Sequence, residues 1–267
     1  NPEQFQIRQE LKLESVIHDT HLDPLPGFDR DSIRLRISTP AMPPTVQEID
    51  LRSGQSIQLK VSTPPNGHTE TQYVVKRLYG ISGDGQQIPL TVVHHRDHQP
   101  SHDSPVLLTG YGAYGMSLTP AFSASRRTLL TRGVIHVTAH VRGGMENGYQ
   151  WYRSGRMADK DQSFNDFIGA AETLIREGFT SAGNIILHGG SAGGLLVGTT
   201  VMRRPELFKG VIADVPFVDV LETMLDADLP LTPPEWPEWG NPIESDEAWR
   251  RLKHFSPTEM VEKRIYP

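Results

Sequence analysis

The 267-residue chain contains no cysteine. That excludes disulfides and thiolate metal centres. A reducing compartment suits such a chain, an oxidising one stays open, and a cytoplasmic location is the expectation. Long hydrophobic runs are also missing. The longest are about ten residues or fewer, about half of what a bilayer-spanning helix needs, so no membrane partner is expected. No secretory signal stands at Asn1, although a chain that does not begin with Met need not show its true start. Positive charge is scarce: 26 Lys and Arg stand against 32 Asp and Glu, a net charge of -6 with His neutral. A nucleic-acid partner calls for a basic face, so none is expected, whereas cationic ligands suit an acidic protein.

What is present reads as two textures. Up to about residue 100, short runs alternate between turn residues. Ser32 to Ile37 alternates strictly, Thr45 to Leu51 follows a Pro-rich turn, and Ser56 to Val61 follows Ser53-Gly54. Such spacing predicts an antiparallel meander of about one propeller blade, which cannot bury both of its faces alone. Tyr73 to Leu78 and Ile88 to His94, joined by Gly83-Asp84-Gly85, predict a further hairpin. The polar stretch His95 to Ser104 reads as a surface crossing between domains. Its histidines His95, His98 and His102 have no carboxylate or helical frame to organise them, so a solvated loop is expected and no metal site.

From Pro105 the pattern changes. Val106 to Thr109 and Val134 to Ala139 are continuous apolar runs, as in parallel strands buried on both faces. Phe164, Phe167, Ile168, Ala171, Leu174 and Ile175 form one helical stripe that stops at Gly178. Asn184 to His188 predicts a strand, Leu195 to Arg203 a helix and Gly210 to Val215 a strand. This alternation calls for α/β architecture with a mostly parallel sheet.

Between that strand and helix stands Gly189-Gly190-Ser191-Ala192-Gly193. Strand, Gly-x-Ser-x-Gly and helix together make a nucleophile elbow, in which a strained turn lifts the serine hydroxyl clear of the sheet. Flanking residues must be small because the two backbones nearly touch. The Ala192 N–H, at the helix start, would face a developing oxyanion. A tightly packed or phosphate-binding turn could share the glycines, but no Lys follows them as a phosphate loop requires. Gly110-Tyr111-Gly112-Ala113-Tyr114-Gly115 follows the first apolar strand, where such enzymes place a second oxyanion donor. Taken alone, it reads equally as an aromatic turn over the sheet edge.

His140-Val141-Arg142-Gly143-Gly144, Gln150-Trp151-Tyr152, Phe164-Asn165-Asp166-Phe167-Ile168, Gly190 to Leu196 and Arg204-Pro205-Glu206-Leu207-Phe208 occur in this order and spacing. Together they closely resemble the prolyl oligopeptidase family of serine peptidases. Val215 to Val220, Thr223 to Asp226, Pro230-Leu231-Thr232 and Glu238-Trp239-Gly240-Asn241-Pro242 resemble its oligopeptidase B branch, which cleaves after Arg and Lys.

The resemblance implies a β-propeller, its last part in residues 1–75, then a hairpin and crossing in 76–104. An α/β-hydrolase catalytic domain would fill 105–267. It implies Ser191 as nucleophile, Ala192 N–H and the Tyr111 hydroxyl as oxyanion hole, and Tyr114 in the substrate pocket. It also implies Glu235 facing a basic side chain, no cofactor, short peptides as substrates, and a monomer or small homo-oligomer. Glu235 taken alone would read as a solvated loop acid.

Some positions depart from the family. Pro237 stands where a second acid is usual, and Glu238 beside it is expected to substitute. Arg142-Gly143-Gly144-Met145-Glu146 carries Met in a glycine position, and Ser117 to Ala121 lacks the acids of a second basic subsite. The triad Asp and His are expected beyond Tyr266-Pro267, because His254-Phe255-Ser256-Pro257 matches a non-catalytic family segment. On that reading these 267 residues alone would be inactive.

Overall fold

The computed structural model describes residues 10, 11, 13, 15, 17–27, 29–64 and 67–267. The other positions of the 1–75 segment lie outside the described residues. The chain divides into two compact units: 1–71 with 119–124, and 72–118 with 125–267.

Among the described residues of the smaller unit, four strands pair antiparallel in chain order: β1 (Asp19–Asp23), β2 (Ser32–Ser38), β3 (Thr45–Asp50) and β4 (Ser56–Val61). Alternation puts Leu35 and Ile37 of β2 on one face, where they bury a small core with Ile49 of β3. β1 has no counterpart in the sequence reading. Its one apolar side chain, Leu22, is exposed, so no pattern announces it. Backbone pairing from Asp19 opposite Ser38 to Asp23 opposite Arg34 makes it a strand.

The larger unit is built on six strands: β5 (Tyr73–Ile81), β6 (Gln87–His95), β7 (Val106–Thr109), β8 (Ile135–Ala139), β9 (Ile185–Gly190) and β10 (Phe208–Asp214). Their order in the sheet is β10-β9-β7-β8-β6-β5. The four strands from β10 to β8 run parallel, while β6 and β5 are antiparallel to their neighbours. This mixed sheet with helices is consistent with the α/β-hydrolase expectation. The β5–β6 hairpin belongs to this sheet, with Ile88, Leu90 and Val92 fully buried. His95 to Ser104 therefore connects β6 to β7 inside the larger unit. The chain passes between the two compact units at 71/72, 118/119 and 124/125. Polarity marks a surface loop, but it does not tell which two elements the loop joins.

Seven helices accompany the sheet: α1 (Ala124–Leu130), α2 (Tyr149–Arg153), α3 (Asp161–Arg176), α4 (Ala192–Arg203), α5 (Val220–Leu225), α6 (Thr232–Trp239) and α7 (Asp246–Phe255). The stripe on α3 buries Phe164, Phe167, Ala171 and Leu174, with Ile168 and Ile175 half-buried at its margins. Each large side chain so buried contributes roughly 1.5–3 kcal/mol. Ser245 caps α7 by accepting the Ala248 N–H at 3.2 Å.

Strand order also fixes where a site can form. From β7 the chain crosses to β8 on one side, and from β9 to β10 on the other. The two crossovers diverge between β7 and β9, which opens a crevice beyond their carboxyl ends. Gly110 leaves β7 there and Ser191 leaves β9. At that point β9 and α4 meet so closely that a Cβ on Gly189 would overlap the Gly193 carbonyl, and one on Gly193 would stand 2.8 Å from Gly110 O. Gly189→Ala should destabilise the protein by about 2–3 kcal/mol or prevent folding. Gly210→Ala, where nothing lies within 4 Å of the added atom, should cost about 1 kcal/mol or less. Urea titrations of the two variants check the contrast.

Candidate active site

Ser191 sits at φ 54° and ψ -120°, between β9 and α4. This is a conformation that L-residues adopt only under constraint. Its N–H donates to Asp214 O at 3.0 Å, and its carbonyl accepts Gly194 N–H and Phe217 N–H at 2.9 Å each. The turn leaves Ser191 exposed while Ala192 is buried behind it. As the first residue of α4, Ala192 has an N–H without an intrahelical acceptor.

The loop after β7 brings two tyrosines to this serine. Tyr111 stands beside Tyr114, with ring centroids 6.4 Å apart, and close enough to Ser191 for the two side chains to interact. Burial raises the Tyr111 pKa above the ordinary phenol value, partly opposed by the neighbouring Ser191 side chain, so the hydroxyl stays protonated and able to donate. Tyr114 has a positive φ of 57°. Its hydroxyl donates to Glu235 Oε2 at 2.8 Å, and Trp239 Nε1 donates to the same oxygen at 2.8 Å. Burial, and then the bond to Glu235, raise the Tyr114 pKa strongly. Glu235 Oε1 has no hydrogen-bond partner among the described residues.

Ser191, Tyr114 and Glu235 line one pocket of ≈ 400 Å³, together with Phe217, Met224 and Leu231. Its lining is mostly apolar, with Glu235 as the one carboxylate. Trp239 is buried beside it, edge-on to Tyr114 and Phe217 with ring centroids 5.6 Å from each.

Glu238 does not join Glu235 in lining this pocket. It is buried and its two oxygens are taken: Oε1 accepts Tyr114 N–H at 2.9 Å and Oε2 accepts the Tyr152 hydroxyl at 2.6 Å. Adjacency in sequence suggested a shared pocket. On α6, three residues are close to one helical turn, but Glu238 falls beneath the Tyr114 backbone. The helix itself was not legible, since Pro233, Pro234 and Pro237 read as loop. The first two prolines occupy opening positions where a missing N–H costs nothing.

His254 is not brought to Ser191. It is exposed, 3.5 Å from Asp161, beside a separate pocket formed with Met157 and Phe255. No histidine is hydrogen-bonded to Ser191 among the described residues. His188, three residues before the serine, instead has Nε2 2.9 Å from Asp214 Oδ2. Its Nδ1 lies 3.5 Å from the Thr109 hydroxyl. Burial holds His136, on the other side of that hydroxyl, down to about 3, so it remains neutral. His95, His98 and His102 form no metal-binding group among the described residues. No described helix is long and apolar enough to cross a membrane.

A buried ion pair holds the Arg142 segment, whose next residue, Gly143, accepts the Gly115 N–H of the tyrosine loop at 2.9 Å. Arg142 Nη2 donates to Asp166 Oδ1 at 2.6 Å and its Nε to Oδ2 at 3.0 Å, while Nη1 reaches Asp84 at 2.6 Å. Burial alone would lower the arginine pKa, but the two aspartates outweigh it and raise it. Asp166 is fully buried, and Asp84 is substantially exposed. Asp166→Ala should therefore cost about 3 kcal/mol by removing the fully buried partner of the guanidinium and leaving only the more exposed Asp84 carboxylate to balance its charge. Asp84→Ala should cost about 1 kcal/mol or less. Chemical denaturation of both variants measures the difference.

Residues 120–267 match the sequence profile of the prolyl oligopeptidase family. Dipeptidyl aminopeptidase BI of Pseudoxanthomonas mexicana is 36% identical over 96% of this chain and 35% of its own length. Protease 2 of Moraxella lacunata is 38% identical over 90% of this chain and 35% of its own length. The structure of oligopeptidase B from Leishmania major superposes with a TM-score of 0.91 at 37% identity, covering 96% of this chain and 36% of that one. The chain thus spans about a third of the length of the curated relatives it matches.

Proposed function

Because this chain belongs to the prolyl oligopeptidase family, we propose that it supplies the nucleophile and primary pocket of a serine oligopeptidase. The enzyme hydrolyses short peptides on the carboxyl side of Arg or Lys. One observation carries this reading: Ser191 and Glu235 share a pocket in which one oxygen of Glu235 is held by Tyr114 and Trp239 and the other is unpartnered. An apolar channel suits the methylene stem of a basic side chain. A fixed carboxylate suits its charged end, because a pair made away from bulk water discriminates strongly against neutral residues.

The chemistry follows from the elbow. Ser191 Oγ attacks the scissile carbonyl carbon and passes its proton to a histidine base. The oxyanion is held by Ala192 N–H and the Tyr111 hydroxyl. The base returns that proton to the leaving amine as the C–N bond breaks, leaving an acyl ester on Ser191. Water, deprotonated by the same base, then hydrolyses the ester and frees the serine. We place the histidine and its orienting aspartate in protein outside residues 1–267, so these residues alone should have little turnover. The larger unit is read as the catalytic domain. The four-stranded sheet is read as a blade of a β-propeller that admits only short peptides. The acidic net charge favours basic substrates, and no cofactor is required.

In the full-length protein, a fluorophosphonate probe should label Ser191, and Ser191→Ala should abolish both labelling and turnover. Glu235→Gln should lower kcat/KM for Arg-containing fluorogenic peptides by about a hundredfold, roughly 2.7 kcal/mol, through loss of the charge pair. Turnover after Pro but not after Arg would overturn the assignment.

A further inference from the structure

The loop from Gly110 to Gly115 carries Tyr111 and Tyr114, yet its own chemistry gives it little order. Gly112 and Gly115 have φ of 72° and 66°, and Tyr114 between them is also left-handed. A segment so rich in glycine and strain holds one shape only if its surroundings impose it.

Two buried charges of opposite sign grip its backbone. The Lys160 ammonium donates to Gly112 O and, at 3.4 Å, to Gly155 O. Two residues further along the loop, Glu238 Oε1 accepts Tyr114 N–H at 2.9 Å. Ala113, between the gripped groups, is fully buried, and Lys160 and Glu238 are only 3% and 5% exposed. Nζ of Lys160 also lies 5.0 Å from the Trp239 ring centroid, a favourable cation–π distance. Glu238 is fixed in turn by Tyr152, whose hydroxyl takes a bond from Arg156 at 2.9 Å.

We propose that Lys160 and Glu238 are positioning residues, a charged clamp that holds Tyr111 and Tyr114 in register with Ser191 and Glu235. The proposal rests on the oxyanion role given to Tyr111 above. Neither clamp residue lines the pocket, so each acts through the loop and not on substrate.

The energetics favour positioning over mere packing. Burial lowers the Lys160 pKa from 10.5 to about 8. A lysine whose folded pKa is depressed costs stability at every pH where it is charged, and the cost fades only as pH rises from 8 towards 10.5. An apolar side chain of similar length would fill the same volume without that cost. What it could not do is donate to a carbonyl in the tyrosine loop.

The test uses the full-length protein, with rates expressed per active site after fluorophosphonate titration. Lys160→Met should lower kcat about ten- to a hundredfold, the range expected for a misplaced oxyanion donor, with KM changed less than threefold. Added to Tyr111→Phe, it should slow the enzyme less than about twofold further, because both changes act through one hydroxyl. Glu238→Gln keeps an acceptor for the Tyr114 N–H and should stay within about threefold of the parent, whereas Glu238→Leu should lose activity as Lys160→Met does. Wild-type kcat per site in Lys160→Met, or fully multiplicative effects with Tyr111→Phe, overturns the clamp. If Lys160→Met does not fold, the Glu238 pair decides.

If Tyr111→Phe alone leaves kcat unchanged, the oxyanion reading has failed and not the clamp. Amide hydrogen exchange in this chain then decides. Lys160→Met and Glu238→Leu should speed exchange at Tyr114 at least tenfold while Leu187 stays protected. Unchanged exchange at Tyr114 overturns the clamp.

Discussion

The near-contact of two backbones, where β9 turns into α4, governs the rest of the larger unit. Gly189 and Gly193 lack side chains because neither has room for one, and the turn between them holds Ser191 at a positive φ. That strain persists because four backbone hydrogen bonds and buried neighbours on both sides determine it. The parallel pairing of β7, β9 and β10 supplies the frame, since Ser191 N–H and carbonyl are both bonded to the chain at and just after β10.

Charge is used differently at the surface and beneath the site. Exposed pairs such as Arg251 with Glu247 lie on helix faces and contribute little. The buried ones, Arg142 with Asp166, Lys160 with Gly112 O, and Glu238 with Tyr114 and Tyr152, all converge on loops beyond the strand ends. Those loops are rich in glycine, and apolar contact alone gives them no unique shape. Directional bonds to ionised groups do, at the expense of burying charge. The pocket itself keeps one oxygen of Glu235 unpartnered, whereas both oxygens of the buried Glu238 are taken.

Much of this was legible from the residues. The helical stripe from Phe164 to Ile175, the apolar runs of β7 and β8 and the Gly-x-Ser-x-Gly turn are local patterns, and each became the element it predicted. β1 was not legible because its pairing is made by backbone alone. α6 was hidden by its prolines, two of which sit where helices tolerate them. Lys160 stands in a polar stretch, Ala158-Asp159-Lys160-Asp161, that gives no sign of burial.

The sequence by itself therefore determined the order of strands and helices, the elbow at Ser191 and the tyrosines that follow β7. Those depend on periodicity and on side-chain size within a few residues, which a linear chain displays. Only the tertiary structure decided that Glu235 shares a pocket with Ser191 while Glu238, three residues on, turns beneath the Tyr114 backbone. Burial and direction are set by whichever elements pack on a residue from elsewhere in the chain. For Glu238 those are Tyr114 and Tyr152, 124 and 86 residues away in sequence.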